Sequence, residues 1–231
     1  MIKVITFDLD DTLWDVRPAL VKAEAAQNAW LDTHYPDTRN QQNPEELTRV
    51  RRQVLDERPD LAHNISAFRQ QVLTRLLLAS GVPPDEAENA AQQAFQAFIN
   101  KRNDVDLFPQ SVPVLTALST SYSLGALTNG NADVNKTPLG GFFDFALKAE
   151  DVGAAKPETA LFDHAMRTAG VGPGEMLHVG DSHDHDVTGA YRAGVRSVWF
   201  SKAGGHSDLA DFVIGCLTEL PGIMRKLDDR R

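Results

Sequence analysis

The chain of 231 residues is 42% hydrophobic and 24% charged, with 23 Lys and Arg against 32 Asp and Glu and a formal charge of -9, a size suited to one large or two small packed domains. That balance argues against nucleic acid as a partner, because neutralising a phosphate backbone over a long footprint needs a basic face. The single cysteine, Cys216, allows neither an internal disulfide nor a cysteine zinc site, and its apolar setting beside Val213, Ile214 and Leu217 predicts a buried structural thiol.

Residues Lys3-Val4-Ile5-Thr6-Phe7 are β-branched and aromatic and run into Asp8-Leu9-Asp10-Asp11-Thr12, which predicts a buried strand ending in an acidic loop. The start meets acids too soon for a secretory signal, and no apolar run reaches transmembrane length. A cytoplasmic protein with no membrane partner is therefore expected. Between 17 and 104 the texture turns helical, with helices predicted near 19–34, 44–57, 64–80 and 85–100, separated by Pro and Gly signals. Phe68, Val72, Leu73, Leu76 and Leu77 recur at helical spacing, as do Ala91, Ala94, Phe95 and Phe98, so these faces should pack on one another as a small bundle.

After 105 the pattern alternates. Strands are predicted at 123–127, 145–148, 176–179, 197–200 and 212–214, with helices near 112–119, 157–169 and 184–193. Such alternation implies an α/β fold, a doubly wound parallel sheet covered by helices on both faces. The N-terminal strand has no partner nearby, so it should join this later sheet. Residues 1–16 and 105–231 then form a Rossmann-like core, and 17–104 an inserted all-helical domain. The ending, 226–231, reads as a frayed polar tail.

In open α/β sheets ligands sit beyond the carboxyl ends of the strands. Four such places carry unusual groups: Asp8, Asp10 and Thr12; Thr128-Asn129-Gly130; Lys156 before Pro157; and Gly180-Asp181-Ser182 with Asp186. Each alone has a plain reading, as an acidic loop, a tight turn, a helix start or an N-cap. Their order and joint occurrence favour a shared site.

This constellation resembles the haloacid dehalogenase superfamily, in its capped subgroup, through Phe7-Asp8-Leu9-Asp10-Asp11-Thr12-Leu13, Leu127-Thr128-Asn129-Gly130, Lys156-Pro157 and Gly180-Asp181-Ser182 with Asp186. The resemblance implies Asp8 as nucleophile, Asp10 as general acid and base, and Thr128 and Lys156 as stabilisers of the phosphoryl group. It implies Mg²⁺ as cofactor, with Asp8, Asp10 through its main-chain carbonyl, and Asp181 as ligands, and Asp186 as a ligand or a support. Simple chemistry makes these roles sensible: a carboxylate can attack phosphorus in line and split hydrolysis into two displacements. Mg²⁺ takes hard oxygens and keeps waters plus a phosphate oxygen. Four carboxylates against Lys156 and one divalent ion leave about one negative charge, so phosphate binding should depend on the metal.

Asp10 also separates two branches of that family. Displacing a halide needs no protonation, and the dehalogenases that this chain resembles usually lack a carboxylate two residues after the nucleophile. Phosphomonoester hydrolysis is thus expected over 2-haloacid dehalogenation. A phosphonate-cleaving relative would want a lysine from the inserted domain, but Lys22 and Lys101 sit on polar faces. His183 and His185 lie in an oxygen-rich loop without thiolates and read as exposed, and His178 as a satisfied strand residue.

Substrate contacts are expected from Thr128, Asn129 and Lys156, and from Trp14 and Arg17 just after the first motif, with Arg69 and His63 as weaker candidates. The run through Trp14-Asp15, then Arg17-Pro18 and Thr128-Asn129-Gly130-Asn131-Ala132, is similar to the branch of the family acting on flavin mononucleotide and on a phosphorylated ribityl-aminouracil. A broad sugar-phosphate, phosphoglycolate or nucleotide phosphatase is the alternative. A receiver-type phosphoryl-binding module would be shorter and uncapped, and a non-catalytic relative would have lost Asp8, Asp10 or Lys156. The expected partner is a small phosphoester, and the expected state a monomer or small homo-oligomer.

Overall fold

Four consecutive apolar or β-branched residues leave a strand with no polar face, so it must be covered on both sides, and β1 (Val4–Phe7) is buried at every position. The structure, a computed structural model describing residues 1–41 and 43–229, adds β2 (Ser123–Thr128), β3 (Phe145–Lys148), β4 (Met176–Gly180), β5 (Arg196–Phe200) and β6 (Phe212–Ile214). They form one sheet in the order β3-β2-β1-β4-β5-β6, parallel throughout. The N-terminal strand joins this sheet, as its lack of a local partner implied, and takes a central place in it. Phe7 lies opposite Ala126 on one side and Val179 on the other. The residues that follow these three strands therefore emerge side by side.

Contacts divide the chain into two compact units, Met1–Val16 with Val105–Arg231, and Arg17–Asp104. The second unit is helical: α1 (Val16–His34, its first residue in the other unit), α2 (Pro44–Glu57), α3 (Ile65–Ala79) and α4 (Pro84–Arg102). Asn43 and Asn64 cap α2 and α3 by accepting from the main-chain N–H of Glu46 and Ala67. Proline at the first turn of α2 and α4 costs no hydrogen bond. An alanine face on α4, Ala87, Ala90, Ala91 and Ala94, lets the helix approach Leu73 and Leu77 of α3 closely. Two short 3₁₀ turns, Pro36–Gln41 and Pro59–His63, punctuate the connections. No described helix is long and apolar enough to cross a membrane.

The α/β unit adds α5 (Ser111–Ser119), α6 (Ala149–Val152), α7 (Ala160–Ala169), α8 (Thr188–Arg192) and α9 (Leu220–Asp228). Phe162 and Ala165 of α7 and Ala190 of α8 pack on Leu127 and Met176 of the sheet. Several details differ from the sequence reading. The helix expected over 184–193 divides into a wide turn, His183–Val187, and the short α8. The tail expected from 226 is helical through Asp228, because Leu220, Ile223 and Met224 bury one face of α9 and Pro221 sits in its tolerant first turn; residues 230 and 231 lie outside the described residues. Cys216 is half-buried rather than buried, and Thr218 Oγ1 donates to its sulfur at 3.1 Å.

Candidate active site

Main-chain hydrogen bonds tie the loop after β1 to β4 and close it on itself. The Asp8 N–H donates to the Val179 carbonyl (2.9 Å), that of Asp11 to Trp14 (2.8 Å) and that of Leu13 to Leu9 (2.9 Å). Asp11 takes a positive φ of 60°, a conformation that aspartate tolerates better than most residues. The tight return brings Trp14 back to Asp10, and the indole N–H donates to Asp10 Oδ1 at 2.8 Å. Trp14 has no exposed surface. So placed, it packs in the interior and holds Asp10, with no face open for the substrate contact expected of it.

Lys156 ties three strand ends together. Its Nζ donates to Asp8 Oδ1 at 2.7 Å, to Asp186 Oδ1 at 2.6 Å and to the Leu127 carbonyl at 2.7 Å, which uses all three ammonium hydrogens. Burial pulls its pKa down, but the two carboxylates more than reverse this and push it up to about 12. The lysine stays charged. Its main chain is fixed by Asn129, whose Oδ1 accepts from the Lys156 N–H (2.8 Å) and whose Nδ2 donates to the Lys156 carbonyl (2.9 Å). Asn129, expected to contact substrate, thus spends its amide on positioning Lys156.

Asp186 has a second set of partners that the sequence did not disclose. His178 Nε2 lies 3.1 Å from Asp186 Oδ1, and the Ser182 N–H donates to Oδ2 at 3.0 Å. A carboxylate only accepts, so Nε2 carries the proton and Nδ1 accepts from the Thr6 hydroxyl at 2.9 Å. Burial lowers the His178 pKa, consistent with a neutral ring. Burial alone would raise Asp186; Lys156 and His178 instead hold it well below the usual carboxylate range. Gly180 makes room for this arrangement, since a Cβ there would lie 2.2 Å from the Asp186 carboxyl carbon.

Asp8 is the carboxylate left under-compensated. Burial raises its pKa well above the ordinary value, against the pull of Lys156 and with added repulsion from Asp186 and Asp10. Asp181 is raised to about 6, by burial first and then by Asp186 and Asp11, and accepts a hydrogen bond from the Thr12 hydroxyl at 3.2 Å. Oxygens of Asp8, Asp181 and Asp186 lie within 4.8 Å of one another. Hard oxygen donors, two of them unfavourably ionised by burial and mutual repulsion, fit a small divalent cation.

These groups surround a cavity of about 210 Å³, walled by Asp8, Asp10, Thr128, Lys156, Asp181 and Asp186, with Asn129, Gly130 and His185 also on its rim. Thr128 is buried there, its oxygen accepting from the Gly130 N–H at 2.9 Å. Arg17 is exposed and opens the helical unit. His185 is exposed, but His183 is half-buried, edge-on to Trp199 and 2.8 Å from the Ser207 hydroxyl. Trp199 in turn donates to the Asp181 carbonyl at 2.8 Å. These last supports connect residues far apart in the chain, and no local pattern announces them.

The haloacid dehalogenase-like hydrolase family matches residues 2–194. The chain belongs to that family. It is 34% identical over 204 residues to the 5-amino-6-(5-phospho-D-ribitylamino)uracil phosphatase YigB of Escherichia coli K12, covering 88% of this chain and 85% of that one. It is 28% identical over 240 residues to a glyceraldehyde 3-phosphate phosphatase of Methanopyrus kandleri, covering 98% and 99%. Among solved structures, a 2-haloacid dehalogenase from Pseudomonas syringae pv. Tomato DC3000 superposes with a TM-score of 0.93 at 42% identity, covering 98% of this haloacid dehalogenase-like chain and 100% of that one.

Proposed function

We propose that the protein is a Mg²⁺-dependent phosphatase of small phosphomonoesters, working through an aspartyl phosphate on Asp8, with residues 17–104 as a cap. The observation that carries this reading is a second carboxylate, Asp10, on the wall of the same cavity as Asp8 and Lys156. Lys156 holds Asp8 Oδ1, leaving Oδ2 to attack phosphorus in line while the bond to the ester oxygen breaks. Asp10 gives its proton to the departing alkoxide. It then takes a proton from the attacking water as the bond between phosphorus and Asp8 breaks, releasing phosphate and restoring both carboxyl groups. Thr128 donates to a phosphoryl oxygen, and Lys156 offsets its charge. Asp8, Asp181 and the Asp10 carbonyl would hold Mg²⁺, with Asp186 as a further ligand or as the anchor of Lys156; the ion supplies charge that lets a phosphate dianion approach Asp8.

For the substrate, the relation to YigB supports a ribityl phosphate or flavin mononucleotide. The structural likeness to a named 2-haloacid dehalogenase keeps halide displacement as the competing reading, and Asp10 argues against it because a halide leaves without a proton. The test is hydrolysis of a panel of ribityl, flavin, sugar and nucleotide phosphates, with 2-chloropropionate alongside. Phosphate release with Mg²⁺, lost in chelator and reduced at least ~10³-fold in Asp8→Asn, is the expected outcome. Chloride release without phosphate release would overturn the reaction, and equal kcat/KM across the phosphates would overturn the flavin-pathway substrate.

A further inference from the structure

The helical unit contains a cavity of its own, about 290 Å³, walled by α1, α2 and α3. Its lining combines apolar Leu47, Phe68 and Leu76 with polar Gln27, Arg51 and Arg69. Arg69 is held in place rather than free to swing, its guanidinium stacked 3.9 Å over the ring of buried Phe98. The acid paired with it, Glu24, is 3.5 Å away and half-exposed. Burial lowers the Arg69 pKa against the pull of Glu24, with Arg51 and Arg102 adding to the lowering, but a guanidinium stays charged in water-accessible protein.

Gln27 adds an independent observation. The residue is only 8% exposed, and its Oε1 has no hydrogen-bond partner among the described residues. Leaving a buried acceptor unmatched costs about 1–3 kcal/mol, and packed interiors keep few voids larger than a water molecule. A bundle built for stability alone has no use for an unmatched buried amide beside a hollow that gathers two guanidinium groups. The lining makes two complementary demands: an oxyanion for the arginines and an apolar body for Phe68 and Leu76.

We infer that this cavity binds a small amphipathic organic carboxylate, its head on Arg69 and Arg51 and its body against Phe68 and Leu76. A planar carboxylate suits the arginine fork. The site stands apart from the phosphatase reading and needs neither Mg²⁺ nor turnover.

The experiment titrates ¹⁵N-labelled full-length protein, in chelator, with 4-hydroxyphenylacetate, with the neutral 4-hydroxyphenylacetamide and with inorganic phosphate. Saturable shifts of the Gln27 side-chain amide and the Arg69 Nε–H are expected with the acid, and affinity at least ~10-fold weaker for the amide. Phosphate, lacking an apolar body, should bind more weakly than the acid. Arg69→Gln should abolish the shifts at Gln27. Should that variant misfold through loss of the Phe98 stack, Arg51→Gln, at an exposed position, should still weaken the acid severalfold, and Leu76→Trp should block it. Equal binding of acid and amide, shifts confined to the α/β unit, or no saturation by about 20 mM, where even weak millimolar binding registers, would overturn the inference.

Discussion

The two units bury polar groups in opposite ways. At the strand ends of the α/β unit, Asp8, Lys156, His178 and Asp186 are all buried and bonded to one another, and each Lys156 hydrogen has an acceptor. In the helical unit the buried set is mostly alanine, leucine and phenylalanine, and the amide oxygen of Gln27 is left over. A buried charge network is a poor source of net stability but a good means of fixing geometry, since removing any member strands the rest. Apolar packing is the reverse: it stabilises strongly and tolerates redundancy. The contrast separates a part of the molecule organised around placing atoms from one organised around shape.

Breaking the network should be the most costly change. Lys156→Met leaves Asp8 and Asp186 buried without their shared cation, and a loss of about 3–5 kcal/mol is expected in chelator, read by urea denaturation, together with loss of turnover. Lys156→Arg should not restore either property, because three acceptors converge on a single nitrogen and a planar fork cannot meet them. Full stability in Lys156→Met would show that the network is peripheral to folding.

On the helical side, Leu77→Ala removes a fully buried side chain packed against the alanine face of α4. The expected cost is about 2–5 kcal/mol, with the pH profile of turnover unmoved. A shifted profile would mean that packing and chemistry are less separable than the contrast holds.

The sequence disclosed the site through its outline. Asp8 and Thr128 directly follow predicted strands and Asp181 lies one residue further on from a third, so the topology of a parallel sheet suffices to gather them. Lys156 joins them because residues before a helix start lie at the same end of the sheet. The supports were hidden for a physical reason: Thr6, His178 and Asp186 meet through contacts 172 and 8 residues apart in sequence, and Asn129 grips Lys156 across 27. No periodicity encodes such pairs. Trp14 was ambiguous, because an aromatic near a motif looks equally suited to substrate or to core, and the turn at Asp11 carries it into the core. The C-terminal helix was missed because the basic and acidic run from 226 reads as a frayed tail, whereas Leu220, Ile223 and Met224 just before it bury one helical face.

The network's edge should be visible in pH. Asp181, raised to about 6 chiefly by burial, keeps its proton in the metal-free fold at pH values where the unfolded chain, titrating near 3.8, has lost it. The folded state then binds more protons. This contribution is fully present below about pH 4 and is lost as pH rises through about 6. The difference in unfolding free energy between wild type and Asp181→Asn in chelator should therefore shrink from pH 4 to 6.5 in favour of the variant. A difference independent of pH would place Asp181 outside the repulsive cluster.

The smallest change tests whether positioning extends to Asp10. Trp14→Phe removes the indole N–H from Asp10 Oδ1 while keeping an aromatic body in the fully buried site. Losing a hydrogen bond to a charged group is worth about 1.5–3 kcal/mol, so kcat for alkyl phosphates should fall roughly tenfold or more. p-Nitrophenyl phosphate, whose leaving group departs without a proton, should suffer less in its first step. A purely structural role for Trp14 would lower both substrates alike, so the comparison alone is informative. The double-mutant cycle is sharper: on an Asp10→Asn background the carboxylate that Trp14 orients is gone, and Trp14→Phe should add almost nothing to the loss. An additive effect would assign the indole to packing, placing it with the apolar helices rather than with the charge network at the strand ends.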